Sequence, residues 1–234
     1  MKIKQRIAQG LMIAALLDAG AVLAKPQKAK PPAAPASTKP TREDLLHVPP
    51  DRGHAQPGQP PAIAPQQFVQ GLYTRLNAMS KASPTLDALH GKIGEELRTV
   101  VDYPEMARLA LGQKWTELTE AQRKEFLTYL TGMVLNTYVK RFKPGQAIEI
   151  RYGAAPKNLT EDRVQIASTI TVGKTSAEVN YALRPNEGKW WVYDIVVDDA
   201  SQLQTYRQSF RKILDKEGWP GLMTRMKKAA EKKV

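Results

Sequence analysis

The spacing of apolar residues along the chain changes from a helical period to a strand period and back. Between Gln66 and Pro144 apolar side chains recur every three or four residues, as on one face of an amphipathic helix. From Ile148 to Val197 they alternate with polar side chains, as in strands with one buried face. Helical spacing returns after Ser201. Helices on both sides of one run of strands predict an α+β domain.

Capping and helix-breaking residues predict about six helices. Ser83, which precedes a proline, marks the start of the second helix. Thr119 and Gln122 form a capping-box sequence at the start of the longest helix. Gly218 and Pro220 divide the segment after the strands into two helices.

The alternating region predicts a twisted antiparallel sheet of about four strands joined by short turns. The strands are expected at 148–152, 164–172, 177–183 and 190–197. The last strand is apolar on both faces apart from Asp194, so its register is open by one residue. One register turns Trp191 and Tyr193 toward the buried face, and the other turns Trp190 and Val192.

The N-terminal residues 1–24 have the pattern of a secretory signal peptide. Three basic residues within the first six precede an apolar stretch at 7–23. The stretch is followed by a small-x-small cleavage pattern, Val22-Leu23-Ala24. Cleavage is expected near Ala24, with an uncleaved membrane anchor as the alternative. The mature protein is therefore expected in the periplasm.

The next segment, residues 25–65, is dominated by Pro, Ala, Lys and Gln. Such a composition buries too little apolar surface to offset the entropy of ordering, so we expect a disordered tether. The folded domain is then expected at 66–234.

Charge and composition narrow the functional classes. The net charge is +12 and the chain has no cysteine, which excludes thiol catalysis and cysteine-based zinc sites. An exported protein seldom meets nucleic acid, so the excess charge indicates docking to acidic partners or anionic head groups, or else serves solubility alone. The candidate docking residues are Arg207, Arg211, Lys227 and Lys228.

Candidate catalytic residues are few. His90 is the only histidine of the predicted domain, and no histidine cluster or glycine-rich phosphate loop is present, so no metal or cofactor is expected. Asp194 and Asp198, near the end of the last strand, are the carboxylates that an isomerase-like or dehydratase-like pocket enzyme would use. Hydrogen bonds to turn backbone are the alternative role for both.

A set of residues spread over 66–230 resembles the MlaC family, also called the toluene-tolerance Ttg2 family, of periplasmic phospholipid-binding proteins. The first block is Val101-Asp102-Tyr103, Met106-Ala107-Arg108, Leu111-Gly112, Trp115, Gln122-Arg123, Phe126 and Tyr138. The second block is Val179, Tyr181, Trp190, Tyr193-Asp194, Ser201, Tyr206-Arg207, Phe210, Gly218 and Leu222. One departure is Asp199-Ala200-Ser201, where the family usually has Gly-Val-Ser. Loss of that glycine puts the backbone geometry of the turn in question.

The resemblance implies a monomeric, non-enzymatic carrier. It implies a sheet packed by helices around an apolar cavity that takes the acyl chains of a phospholipid. It also implies exchange between an outer-membrane lipoprotein complex and the substrate-binding ring of an inner-membrane ABC transporter, as in systems that maintain outer-membrane lipid asymmetry. A hopanoid-linked carrier of the same family is an alternative.

Under this interpretation, apolar residues of the strands and of the long helix surround the lipid tails, although periodicity alone does not separate a lined cavity from a filled core. The residues expected to line the site are Leu135, Tyr138, Phe142, Ile148, Ile150, Val164, Ile166, Ile170, Val179, Tyr181, Trp191, Tyr193 and Val197.

Overall fold

The computed structural model describes residues 60–232, so the predicted signal peptide and most of the predicted tether lie outside the described residues. The helices are α1 (Pro65–Ala82), α2 (Leu86–Val100), α3 (Tyr103–Leu111), α4 (Gln113–Glu117), α5 (Glu120–Tyr138) and α6 (Gln202–Ala230). The strands are β1 (Glu149–Tyr152), β2 (Lys157–Asn158), β3 (Val164–Val172), β4 (Thr175–Asn186), β5 (Lys189–Val197) and β6 (Ala200–Ser201). The predicted α+β class is confirmed.

The strands form one antiparallel sheet in the order β1-β3-β4-β5-β6, and β2 also pairs with β3. The predicted count of four strands is wrong, because β2 and β6 add two further strands to the four expected ones. Each of these is two residues long, which is too short to produce an alternating pattern.

The helix ends follow local chemistry, with one correction. Thr119 caps α5 and Gln122 returns the hydrogen bond, as the capping box predicts. The cap of α2 is Thr85, whose Oγ1 accepts from the Ala88 N–H at 3.3 Å, and not Ser83 as expected. Gly218, with φ of 66°, interrupts α6 before Pro220, where the sequence predicted two helices.

A β-bulge settles the register of β5. Ala182 pairs with Asp194 and Leu183 pairs with Val192, so Tyr193 is an extra residue opposite β4. Side chains of paired residues point to the same side of the sheet. The regular alternation of β5 side chains between the two sides is therefore interrupted at Tyr193. Neither predicted register therefore holds along the whole strand.

The helices pack on the sheet and on each other around one core. α5 packs chiefly against α6 and α3, and α6 also contacts β5. Gly132 of α5 lies so close to α6 that a Cβ on it would be 2.8 Å from the Ala230 Cβ. None of the helices within residues 60–232 combines the length and the apolar content needed to cross a bilayer.

Candidate functional site

Most of the predicted lining residues on the strands share one side of the sheet, which we call the apolar sheet face. The cross-strand pairs on this face are Ile150 with Ile170, Val164 with Leu183, Ile166 with Tyr181, and Val179 with Val197. Ile166 and Val179 are buried, whereas Ile150, Val164 and Ile170 are half-buried. The apolar sheet face is therefore closed at its centre and partly open toward β1.

Two predicted lining residues of β5 lie elsewhere. Trp191 pairs with Arg184 on the opposite side of the sheet, where its indole N–H donates to the Asn186 carbonyl at 3.1 Å. Its assignment to the apolar sheet face is therefore wrong, and the cause is the bulge. Tyr193 is the bulged residue itself, and the Arg163 guanidinium lies 4.8 Å above its ring.

Helix α1 is fastened to the apolar sheet face by a pair of tyrosines. The hydroxyls of Tyr73 and Tyr181 are 2.5 Å apart, and their rings pack edge to face. Burial raises the pKa of Tyr73 to about 12. Asn77, one turn further along α1, bonds both the backbone N–H and the carbonyl of Ile148 at 2.8 Å. The start of β1 is thus held against α1.

Of the lining residues predicted on the long helix, Leu135 and Tyr138 lie in the last turn of α5, whereas Phe142 follows the helix after a short 3-10 turn at Val139–Arg141. Leu135 is buried, while Tyr138 and Phe142 are half-buried. The Arg141 guanidinium lies 5.8 Å from the Tyr138 ring centroid, and burial raises the pKa of the Tyr138 hydroxyl. Nearby Tyr206 of α6 is also buried, and its pKa is raised to about 12 by burial. This end of α5 is therefore a mixed aromatic and polar environment.

The carboxylates of Asp194 and Asp198 accept hydrogen bonds from the backbone. Asp194 accepts from the Leu203 N–H at 2.9 Å and from Ser201 Oγ at 2.6 Å, at the start of α6. Burial raises the pKa of Asp194, and these hydrogen bonds only partly oppose the rise. Asp198 is exposed and accepts from the Glu178 N–H at 3.1 Å. Both carboxylates are thus engaged in holding the turn and the helix start.

His90, the histidine noted in the sequence, contacts a backbone carbonyl oxygen. The Nε2 atom of His90 is 3.3 Å from the Phe142 carbonyl oxygen, which ties α2 to the segment after α5. Within residues 60–232 no group of three or more potential metal ligands occurs together.

A cluster of buried charges, which the sequence analysis did not single out, joins α3 to the sheet. Arg184 donates to Asp102 at 2.7 Å, and Glu105 is contacted by Arg108 at 2.7 Å and by Arg163 at 2.5 Å. Burial alone would raise the pKa of Glu105, but the hydrogen bonds from Arg108 and Arg163 and the charge of Arg184 lower it to about 2. We call these five residues the arginine–carboxylate cluster.

The four candidate docking residues are all exposed on α6. Arg207 and Arg211 are one helical turn apart, and Lys227 and Lys228 lie in the last turn. Arg211 Nε is 3.9 Å from the Asp215 carboxylate, a weak surface pair. The four residues therefore present positive charge to solvent at both ends of α6.

Comparison with known proteins identifies the relatives of this fold. A solved structure of a phospholipid-binding protein from Ralstonia solanacearum, in complex with a phospholipid, matches with a TM-score of 0.61 and 18% sequence identity. The match covers 72% of this chain and 97% of that chain. The family model described as MlaC protein matches residues 66–228. This match spans nearly the whole described domain, and the chain belongs to the MlaC protein family.

Proposed function

We propose that this protein is a periplasmic phospholipid carrier that exchanges lipid between an outer-membrane lipoprotein complex and the substrate-binding ring of an inner-membrane ABC transporter. The observation that carries the proposal is membership of the MlaC family over residues 66–228. The phospholipid bound to the Ralstonia solanacearum protein, which shares the fold, adds support.

Physical chemistry explains why such a lipid needs a carrier. Two acyl chains contain about thirty methylenes, each disfavoured in water by roughly 0.8 kcal/mol, so a free phospholipid does not cross an aqueous gap at a useful rate. The lipid starts in one membrane and ends in another. A carrier therefore needs only to match the apolar environment of a bilayer, and a dry apolar site does so.

The apolar sheet face is the proposed wall of the acyl-chain site. Ile150, Val164 and Ile170 are half-buried apolar residues next to the buried Ile166, so they offer apolar surface to a ligand beside a packed core. The proposed second wall is the end of α5, with Leu135 and Tyr138, together with Phe142 just after the helix. The remaining residues of the proposed lining are Ile148, Val179, Tyr181 and Val197, whereas Trp191 and Tyr193 are left out because of the bulge.

The carrier proposal includes no catalytic step. A pocket enzyme of the isomerase or dehydratase type would need a carboxylate free to accept a proton from substrate. Asp194 and Asp198 instead accept hydrogen bonds from the Leu203 and Glu178 backbone N–H groups.

The test is lipid mass spectrometry of the natively purified protein and of matched arginine variants. Val164→Arg and Ile170→Arg place a cation on the half-buried part of the apolar sheet face, and co-purified phospholipid should fall at least tenfold, since an unpaired charge is costly in an apolar site. Thr169→Arg is the control, because Thr169 pairs with Glu178 and Arg151 on the opposite side of β3.

Circular dichroism establishes that each variant folds. Equal lipid content in Val164→Arg, Ile170→Arg and the Thr169→Arg control would rule out the proposed lining. Wild-type protein that carries no lipid, or that converts added lipid to a new compound, would rule out the carrier itself.

A further inference from the structure

A positively charged cleft of about 330 Å³ lies where α3, α4, α5 and α6 meet. Its lining combines three arginines with apolar and small residues: Arg108, Arg123, Arg207, Leu109, Gly112, Trp115 and Thr116. We call it the arginine cleft. None of its residues belongs to the proposed acyl-chain lining.

Arg123 is held in place by the backbone beside the cleft. Its Nε donates to the Trp115 carbonyl at 3.1 Å and its Nη2 to the Thr116 carbonyl at 3.4 Å, while its guanidinium lies 5.4 Å from the Trp115 ring centroid. A guanidinium has about five N–H donors, so these bonds leave roughly three for a ligand. Arg123 is thus a cation held in one position, with N–H donors available to a ligand.

Arg108 is fixed from the other side by the arginine–carboxylate cluster. Its Nε and Nη2 donate to the two oxygens of Glu105 at 2.8 and 2.7 Å, which again leaves about three N–H donors. Glu105 also receives a hydrogen bond from Arg163, and Arg184 Nη1 is 4.0 Å from it. Because Arg184 pairs chiefly with Asp102, the cluster sets three arginines against two carboxylates and has one net positive charge.

Arg207 adds the third cation from the exposed side of α6. Arg207 is exposed and lines the cleft, and none of the ion pairs among residues 60–232 includes it. Lys114 and Glu117 of neighbouring α4 form an ion pair at 2.9 Å, so their charges offset each other. Glu105 therefore offsets the charge of Arg108, whereas no ion pair within residues 60–232 offsets the charges of Arg123 and Arg207.

From this arrangement we infer that the arginine cleft binds a phosphate group. Guanidinium forks match phosphate oxygens bidentately, and a phosphomonoester carries close to two negative charges against the excess of cations. A concave site of this volume takes a small group rather than a flat protein surface. The phosphate comes either from a lipid head group or from a soluble phosphate compound.

The arginine cleft is distinct from the acyl-chain site. Arg123 and Tyr138 are on the same helix, and their separation of fifteen residues corresponds to about 22 Å at 1.5 Å per residue. The inference therefore does not rest on the carrier proposal.

The first experiment is an NMR titration of the full-length protein with inorganic phosphate at constant ionic strength, followed at the Trp115 indole. We expect a saturable shift in the wild type. Arg207→Gln should weaken binding about tenfold, because one charge-assisted donor set is lost. Lys212→Gln is the control, since it removes the same charge from an exposed position of α6 outside the cleft.

A second experiment identifies the source of the phosphate. Co-flotation of wild-type protein, but not Arg207→Gln, with phosphatidic acid vesicles in preference to phosphatidylcholine vesicles would identify a lipid head group. Saturable phosphate binding without such flotation would identify a soluble phosphate compound.

Three results would overturn the inference. They are no saturable shift with phosphate, an equal loss in Arg207→Gln and Lys212→Gln, and a response to a polyglutamate peptide without one to phosphate. Because the indole of Trp115 reports on the cleft and mass spectrometry reports on acyl chains, failure of one proposal is distinguishable from failure of the other.

Discussion

Arg184 Nε donates to Asp102 Oδ2 at 2.7 Å, although the two residues are 82 positions apart in the sequence. The Arg184 side chain is 4% exposed and that of Asp102 is 0% exposed. Asp102 also caps α3 through the Glu105 N–H, and its own N–H donates to the Val192 carbonyl of β5. The pair therefore ties the start of α3 to the centre of the sheet.

Arg184→Met should strongly destabilise the protein, because it leaves the Asp102 carboxylate buried without its cation. We expect a loss of about 3–5 kcal/mol in the free energy of unfolding, measured by urea denaturation. Arg75→Met is the control, since Arg75 forms a partly exposed pair with Glu96 and should lose only about 0–1 kcal/mol. Similar losses in the two variants would contradict a special role for the buried pair.

Glu105 should make the stability of the fold sensitive to acid. Its pKa in the folded protein is lowered from 4.5 to about 2, so its contribution is fully present above the unfolded pKa and is lost as pH falls toward 2. At neutral pH, Glu105→Gln should be less stable than the wild type by on the order of 3 kcal/mol. The gap should shrink between about pH 5 and pH 2. Exposed Glu125→Gln is the control and should change the free energy of unfolding by less than about 0.5 kcal/mol at neutral pH.

Asp199, which departs from the family pattern noted in the sequence, has a backbone φ of 67°. Non-glycine residues adopt this left-handed conformation at a cost, so Asp199→Gly should raise the stability by about 0.5–1 kcal/mol. Asp198, with φ of 45°, offers a contrast, because its side chain accepts from the Glu178 N–H and Asp198→Gly forfeits that bond. Thermal unfolding should show a gain for Asp199→Gly only.

The close approach of α5 and α6 predicts opposite signs for one substitution at two helical glycines. A Cβ at Gly132 would be 2.8 Å from the Ala230 Cβ, so Gly132→Ala should destabilise by about 1–3 kcal/mol. A Cβ at Gly91 of α2 would meet nothing within 4 Å, and Gly91→Ala should stabilise by about 1 kcal/mol through helix propensity. A gain at both positions would mean that α6 moves away freely.

Elements whose structure is decided by local chemistry could be predicted from the sequence. The capping box at Thr119, the change of period before β1 and the break at Gly218 are each specified within a few residues. Ser83 and Thr85 show the limit of this approach. Both residue types are common N-caps, and the local sequence does not specify which of the two hydroxyl oxygens accepts from the helix.

Long-range relationships were not predictable from spacing. β5 is apolar on both faces, so the bulge at Tyr193 does not change its pattern of apolar and polar residues. The bulge therefore cannot be predicted from that pattern. The arginine–carboxylate cluster joins residues from α3, the segment before β3, and β4, which no local pattern connects. Arg108 and Arg123 were noted only as parts of the family pattern, and their convergence on one cleft with Arg207 appears only in the folded chain.

The exposed cations of α6 predict how salt should act on the proposed carrier. Interface charges mainly set the rate of association, and added salt screens them, whereas acyl chains in an apolar site carry no charge. Raising ionic strength from about 0.01 to 0.15 M shortens the Debye length from roughly 30 to 8 Å. Lipid delivery to membranes that contain the partner complexes should then slow markedly, while the lipid retained by isolated protein stays constant.

Arg211→Gln combined with Lys227→Gln and Lys228→Gln should reproduce the slow delivery at low salt and make it insensitive to further salt. Lys174→Gln, in the exposed turn between β3 and β4, removes a charge far along the chain from α6 and should leave the salt dependence intact. Transfer of labelled lipid, followed by fluorescence, measures both effects. A delivery rate that does not change with ionic strength would mean that docking depends on contacts other than these charges, since screened electrostatics is the only route by which they act at a distance.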